Sequence, residues 1–231
     1  MPGASRSLTD LFSIFGGRRT PDADPSASAS PSLPEPAYPT KALPKFVKLL
    51  SSCESPMLVD LGPVVGSNVT FFGEQLACRL RVEDLAADID RHVKEDRLAD
   101  LPKFLETRFT QPAESIDGIL CWDVMDFLDR PAAASLATAL TRLLRPEGVL
   151  LGFFSTAEGR SQVYTKYVVV DETNLRYRTY PAARQRQRSL LNRDIIRLFE
   201  GLRVTDSFLM KNNVREILFR KPAYLGRETP A

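Results

Sequence analysis

One histidine in 231 residues, His92, removes most of the chemistry that proteins build on imidazole. Metal centres and Ser-His-Asp triads need companions for it that the chain does not supply, so no metal is expected. Amid the charges of LAADIDRHVKEDRLAD, His92 itself reads as a solvated helix residue. Cysteine is scarce as well. Cys53, Cys78 and Cys121 form no C-x-x-C pair, which argues against a disulfide framework or a zinc ribbon, and Cys78 and Cys121 read as small buried hydrophobes in strands. Net charge is nearly absent: +2, from 31 basic and 29 acidic residues, too little to predict binding to nucleic acid or to a membrane surface. No apolar run reaches the roughly eighteen residues of a membrane span, and the N-terminus lacks the apolar core of a signal peptide. A reducing cytoplasm is the default location.

What the chain does have is enough apolar material, 43% of its residues, to bury one substantial core. Residues 1–40 read as a tail, because TPDADPSASASPSLPEPAYPT has almost nothing to bury and is expected to be disordered. Within the tail, Leu8, Leu11, Phe12 and Phe15 recur at helical spacing, so residues 7–16 predict either a nascent helix or a short amphipathic segment that docks a protein partner or a membrane surface. The folded domain is expected over residues 41–222, with a C-terminal tail at 223–231. It opens on an amphipathic helix from Leu43 to Leu50.

The most informative stretch follows. Met57, Leu58 and Val59 form an apolar run ending at Asp60, with Gly62 and Gly66 in the turn beyond it and a helical pattern after them. That is a buried strand, a tight turn and a helix start. Glycines suit such a turn because a missing Cβ lets a ligand lie against the backbone and the N–H groups of the helix N-terminus. Ser67 or Asn68 is placed to cap the helix, whose apolar side is Phe71, Phe72 and Leu76. A second strand, Cys78 to Val82, delivers Glu83 and Asp84 about twenty residues after the turn, where open α/β sheets place a carboxylate on a ribose hydroxyl.

The remaining elements alternate and then stop alternating. Ile116 to Cys121 is a buried strand breaking at Trp122 and Asp123; Pro131 opens a helix with Leu136, Leu140, Leu143 and Leu144 at helical spacing; Val149 to Phe154 is a further strand. This order predicts an α/β fold, a parallel sheet with helices on both faces, with ligands at the strands' carboxyl ends. Val163–Val170 and Leu175–Tyr180 then predict a β-hairpin, added to the sheet or inserted as a flap. Asn192 is expected to cap a helix ending at Gly201. Val204–Met210 and Arg215–Lys221, joined by Asn212-Asn213, predict an antiparallel closing pair.

From Lys41 to Pro222 the order of parts resembles the class I S-adenosylmethionine-dependent methyltransferases. VDLGPVVGSN stands at the family's glycine-rich turn, IDGILCWDVMDFLD and LLRPEGVLLGFF at its fourth and fifth strands, and NRDIIRLFEGLRVTDSFL at the approach to its final hairpin. The resemblance implies a Rossmann-like, seven-stranded, mostly parallel sheet and S-adenosylmethionine as cofactor. By it, Asp60, Gly62 and Gly66 line the methionine end, Glu83 holds the ribose, and Cys121, Trp122 and Asp123 face the sulfonium. Asp123 is the candidate for orienting or deprotonating the acceptor, or else a helix cap. The implied activity is methyl transfer to an unidentified acceptor, a small molecule or an anion. Val64 and Pro63 depart from the family's turn, and no third strand is legible between Leu101 and Ser115. The alternative is therefore a binding or regulatory protein that keeps the fold without turnover. The basic stretch Tyr177–Arg188 reads as a solvated face or as a lid that steers an anionic substrate; nucleic acid is disfavoured by the neutral overall charge.

Overall fold

Apolar runs bounded by turn residues pair into the central sheet of the computed structural model, which describes residues 35–157, 161–187 and 189–223. Every element below belongs to the second of two units, Pro36–Ala231. The segment expected to be helical at 7–16, the tail before Glu35, Arg188 and residues 224–231 lie outside the described residues.

The central sheet is built from β2 (Met57–Asp60), β3 (Arg79–Val82), β4 (Ile116–Trp122), β5 (Leu144–Ser155), β8 (Arg203–Leu209) and β9 (Val214–Arg220). Their order is β3-β2-β4-β5-β9-β8. The first four run parallel, β9 returns antiparallel to β5, and β8 pairs antiparallel with β9. All seven residues of β4 are buried, as a strand covered on both faces requires.

Among the described residues the sheet therefore has six strands where the resemblance implied seven. The stretch expected to hold the third strand folds as α4 (Leu101–Thr107) instead. Pro102 sits in its first turn, where a missing N–H costs nothing, and Leu101 and Leu105 recur on one buried side.

Alternate strand residues feed two cores. Val59, Ile119, Leu150 and Phe219 pack with α3 (Leu85–Lys94), α4, α5 (Arg130–Leu143) and α6 (Asn192–Leu198). Leu58, Leu120, Leu151 and Leu218 pack with α1 (Leu43–Leu50), with Phe71 and Phe72 beyond α2 (Gly66–Val69), and with a second sheet. That sheet joins β6 (Val163–Asp171) and β7 (Asn174–Pro181), the expected hairpin, to β1 (Ala37–Pro39) in the order β1-β7-β6. The hairpin is thus a flap over one face, not an extension of the main sheet.

Because β1 pairs with β7, residues 37–40, expected in the tail, are structured. The cause lies far along the chain: Glu216 on β9, fully buried, accepts hydrogen bonds at Oε2 from the Thr40 hydroxyl (3.0 Å) and from the backbone N–H groups of Lys41 (2.9 Å) and Ala42 (2.8 Å). It holds the free amide groups where α1 begins.

Three local expectations are corrected. Helix α2 starts at Gly66 after Val65 with no side-chain cap, because Asn68 is buried and bonded elsewhere. Leu191, not Asn192, precedes α6. His92 is 4% exposed, packed 4.7 Å from the Phe104 ring, with Nδ1 2.7 Å from the Asp88 carbonyl oxygen, so it is a core residue of α3. Among the described residues no helix is long and apolar enough to cross a membrane.

Candidate active site

The carboxyl ends of β2, β3 and β4 come together as the sequence predicts, and the Asp60 carboxylate is their centre. Asp60 is 2% exposed. Its Oδ1 accepts the Gly62 N–H (2.9 Å), closing the turn, and the Trp122 indole N–H (2.6 Å). Burial pushes the carboxyl up to about 6 against the opposing pull of these two donors.

Trp122 reaches Asp60 because β4 bends at its last residue. The register with β5 shifts between Leu120 and Trp122, and Trp122 takes a left-handed conformation at φ 46. That turns the indole over Gly62. A Cβ built on Gly62 would stand 3.0 Å from Trp122 Cδ1, whereas one on Gly66 would meet nothing within 4 Å. The close approach anticipated at Gly62 is thus made by the chain's own tryptophan. The indole is sandwiched further: it stacks on Tyr167 of the flap (centroids 5.0 Å, 7° between planes) and meets Phe153 edge-on at 5.4 Å. Val64 is 69% exposed and does not fill the turn.

Glu83 sits one strand over, its amide bonded to the Asp60 carbonyl at 2.8 Å. Its side chain is enclosed by cations and an amide. Arg81 and Gln111 (3.1 Å) donate to Oε1, and Arg108 donates to Oε2 (2.7 Å) while also reaching Asp88 (2.8 Å). Burial alone would raise the Glu83 carboxyl, but Arg81 and Arg108 outweigh it and hold it below its ordinary range. Asp84, beside it, caps α3 from a left-handed φ of 38.

Beyond β4, Asp123 precedes a 3-10 turn, Val124–Phe127, without capping it through its side chain. Its Oδ2 accepts instead from Arg186 (3.0 Å), whose guanidinium also lies 3.7 Å from Asp126. Burial raises Asp123 to about 6 despite Arg186 and the neighbouring Tyr167 and Thr165 hydroxyls. Asp126 rises to about 7, through burial and then the charge of Asp123, opposed by Arg186 and the Ser155 amide. Cys121 is fully buried, and burial drives its thiol well above the ordinary range, as a core residue and not a nucleophile.

Arg186 belongs to a strap, 182–187, that leaves β7 and crosses these carboxylates. Its backbone bonds Gln162, Asp90, Ser161 and Asp126, and Arg184 pairs with Asp129 at 3.1 Å. Of the arginines expected to form a solvated face or to attract an anion, Arg184 and Arg186 are engaged with aspartates. The strap falls within the Tyr177–Arg188 stretch read as a solvated face or a lid, but Asp126, Asp90 and Tyr167 were missed from sequence, although the spacing of Asp123, Asp126 and Asp129 three residues apart, opposite Arg184 and Arg186, offered a signal.

The space left among these groups is about 20 Å³, room for about one water, lined by Gly62, Asn68, Trp122, Asp123, Tyr167 and Tyr180 among others. A larger cavity of about 880 Å³ lies between α5, α6 and the segment through Leu190, away from the Asp60 turn.

The sheet order, four parallel strands closed by an antiparallel pair, makes this a mixed Rossmann-like sheet of six strands among the described residues. No protein-family model matches the sequence and no curated protein matches it. Among solved structures, the chain is similar to Burkholderia thailandensis 1,6-didemethyltoxoflavin-N1-methyltransferase, which holds 1,6-didemethyltoxoflavin and S-adenosylhomocysteine. The identity is 16%, with 78% of each chain covered and a TM-score of 0.48. A Mesorhizobium loti S-adenosylmethionine-dependent methyltransferase is 11% identical over 77% of this chain and 98% of its own, with a TM-score of 0.48. The [4+2]-cyclase SpnF is 10% identical over 78% and 81%, with a TM-score of 0.47.

Proposed function

We propose that the chain is an S-adenosylmethionine-dependent methyltransferase acting on a small-molecule acceptor. The observation that carries the reading is the pair of buried carboxylates, Asp60 and Glu83, at the ends of adjacent parallel strands on either side of the Gly62 turn. A nucleoside with a charged amino-acid arm suits that donor and acceptor set. Its volume does not suit the 20 Å³ now available, since drug-sized ligands occupy pockets of about 300–1,000 Å³. The polar groups fit the cofactor, and room for it depends on the side chains above Gly62.

In this reading Asp60, Gly62 and Gly66 hold the methionine end, and Glu83 accepts from the ribose hydroxyls with Arg81 and Arg108 keeping it ionised. Cys121 supplies the floor, and Asp123, together with Trp122 once its ring has left Asp60, faces the transferred group. The cofactor brings a methyl already activated on sulfur, so orientation supplies much of the rate. Asp123, raised to about 6, takes a proton from the acceptor's nucleophile where one must leave, and Arg186 fixes its orientation. The β6–β7 flap and the strap exclude water and favour a small acceptor over a macromolecule. Pairing of Arg184 and Arg186 with aspartates removes the support for an anionic one.

A second reading, a protein that keeps the fold without turnover, draws on one observation, the filled turn at Gly62. Isothermal titration with S-adenosylhomocysteine tests both. Micromolar binding, lost in Gly62→Arg and weakened about tenfold in Glu83→Gln, supports the enzyme, since tenfold is about 1.4 kcal/mol and typical of a hydrogen bond to a charged group. No heat from any form at millimolar ligand supports the second reading.

A further inference from the structure

We infer that Trp122 is a displaceable plug: its indole stands on the ground that the methionine end of the cofactor would take, so binding there is coupled to release of Trp122 from Asp60. The inference rests on the proposed function and deepens it by naming the side chain that controls entry.

Three observations converge. The indole occupies the face of Gly62 that the absent Cβ leaves bare, at 3.0 Å from where that atom would be. It takes the Asp60 Oδ1 acceptor with a 2.6 Å hydrogen bond, competing for the carboxylate that a bound ligand would need. The cleft it lines together with Asn68, Asp123 and Tyr167 holds only about 20 Å³.

The ring is also held in a manner suited to release. A bulky aromatic residue at φ 46 is in a costly backbone conformation that persists only while its surroundings impose it. The surroundings here are Tyr167 on the flap, and Phe153 and the Asp60 bond on the main sheet. Movement of the flap removes the stacking partner, and a ligand that claims Asp60 removes the hydrogen bond. Entry is then a shift between two states, in which the ligand's preference for the open one sets the change.

The chain carries a single tryptophan, so its emission reports this ring and no other. The experiment titrates wild-type protein with S-adenosylhomocysteine while following tryptophan emission and acrylamide quenching. Titration calorimetry is run in parallel on wild type, Trp122→Ala and Trp122→Phe, and circular dichroism confirms the fold of each. A red shift and stronger quenching that saturate with the calorimetric binding curve are expected, together with affinity at least tenfold tighter in Trp122→Phe, which keeps an apolar ring but loses the N–H. Trp122→Ala should show the same gain if it folds. Wild-type binding with unchanged emission and quenching overturns the plug and leaves the proposed function standing. So does weaker binding by Trp122→Phe, which would make the indole a cofactor contact. No binding by any of the three overturns the proposed function, and this inference with it.

Discussion

The Asn68 carboxamide joins α2 to the flap strand β6, donating from Nδ2 to the Tyr167 carbonyl (2.8 Å) and accepting at Oδ1 from the Val169 N–H (2.8 Å). A side chain on the helix after the glycine turn thereby completes the backbone bonding of a strand about a hundred residues later. Both groups it serves are buried.

Asn68→Ala leaves that N–H and carbonyl unpaired together. At about 1–3 kcal/mol for each buried group left unsatisfied, the loss should be about 2–6 kcal/mol in urea unfolding. Because Tyr167 stacks on Trp122, tryptophan emission should also move to the red before global unfolding.

Glu216→Ala removes three hydrogen bonds where α1 begins and should cost about 3 kcal/mol. Glu216→Gln retains an acceptor oxygen and should recover part of that loss. Hydrogen exchange of the Lys41 and Ala42 amides is the local measurement: protection should fall in Glu216→Ala and be partly restored in Glu216→Gln.

Gly62 and Gly66 should respond oppositely to alanine. At Gly62 the new methyl meets Trp122 at 3.0 Å and Asp60 Oδ1 at 3.2 Å, a crowding expected to destabilise by about 1–3 kcal/mol. At Gly66 it meets nothing, and thermal stability should rise by the equivalent of about 0.4–1 kcal/mol. If the Gly66 backbone lines the cofactor, S-adenosylhomocysteine affinity falls in Gly66→Ala even as stability rises.

Stability should fall from about pH 5 to about pH 8. Asp60 and Asp123 are raised to about 6 and Asp126 to about 7, all above the ordinary 3.8. Between those values the folded chain holds protons that the unfolded chain has released, so raising the pH favours unfolding. Asp126→Asn should flatten that slope in thermal melts across the range. Glu83 works the other way: its lowered value stabilises the fold above about pH 4, and that contribution is lost in acid.

Much of the fold was legible because it is written in local patterns. The apolar runs of β2, β4 and β5, the β6–β7 hairpin and the closing pair all follow from periodicity and turn residues, and Asp60, Gly62 and Glu83 were placed by their distance from strand ends. What escaped was decided by partners distant in sequence. Residues 37–40 look like tail until Glu216 is brought to them, and His92 looks solvated until Phe104 covers it. The seventh strand was implied by the resemblance and by no residue pattern, and Leu101, Pro102 and Leu105 fold as a helix. Trp122 stands at the end of β4 where the apolar run breaks, but no local pattern reveals that a strand's last residue will bend back over a glycine. Nor does a run of arginines reveal that it will be matched to aspartates on another loop.

The absent strand leaves β3 at the margin of the main sheet, paired with β2 on one side only. An open margin of this kind is a template on which a second chain can add a strand, the usual beginning of aggregation. Here it is only four residues long, and two of them, Arg79 and Arg81, are exposed cations whose water a newcomer would have to strip. A strand arriving at this margin therefore meets charge where it would need bare backbone.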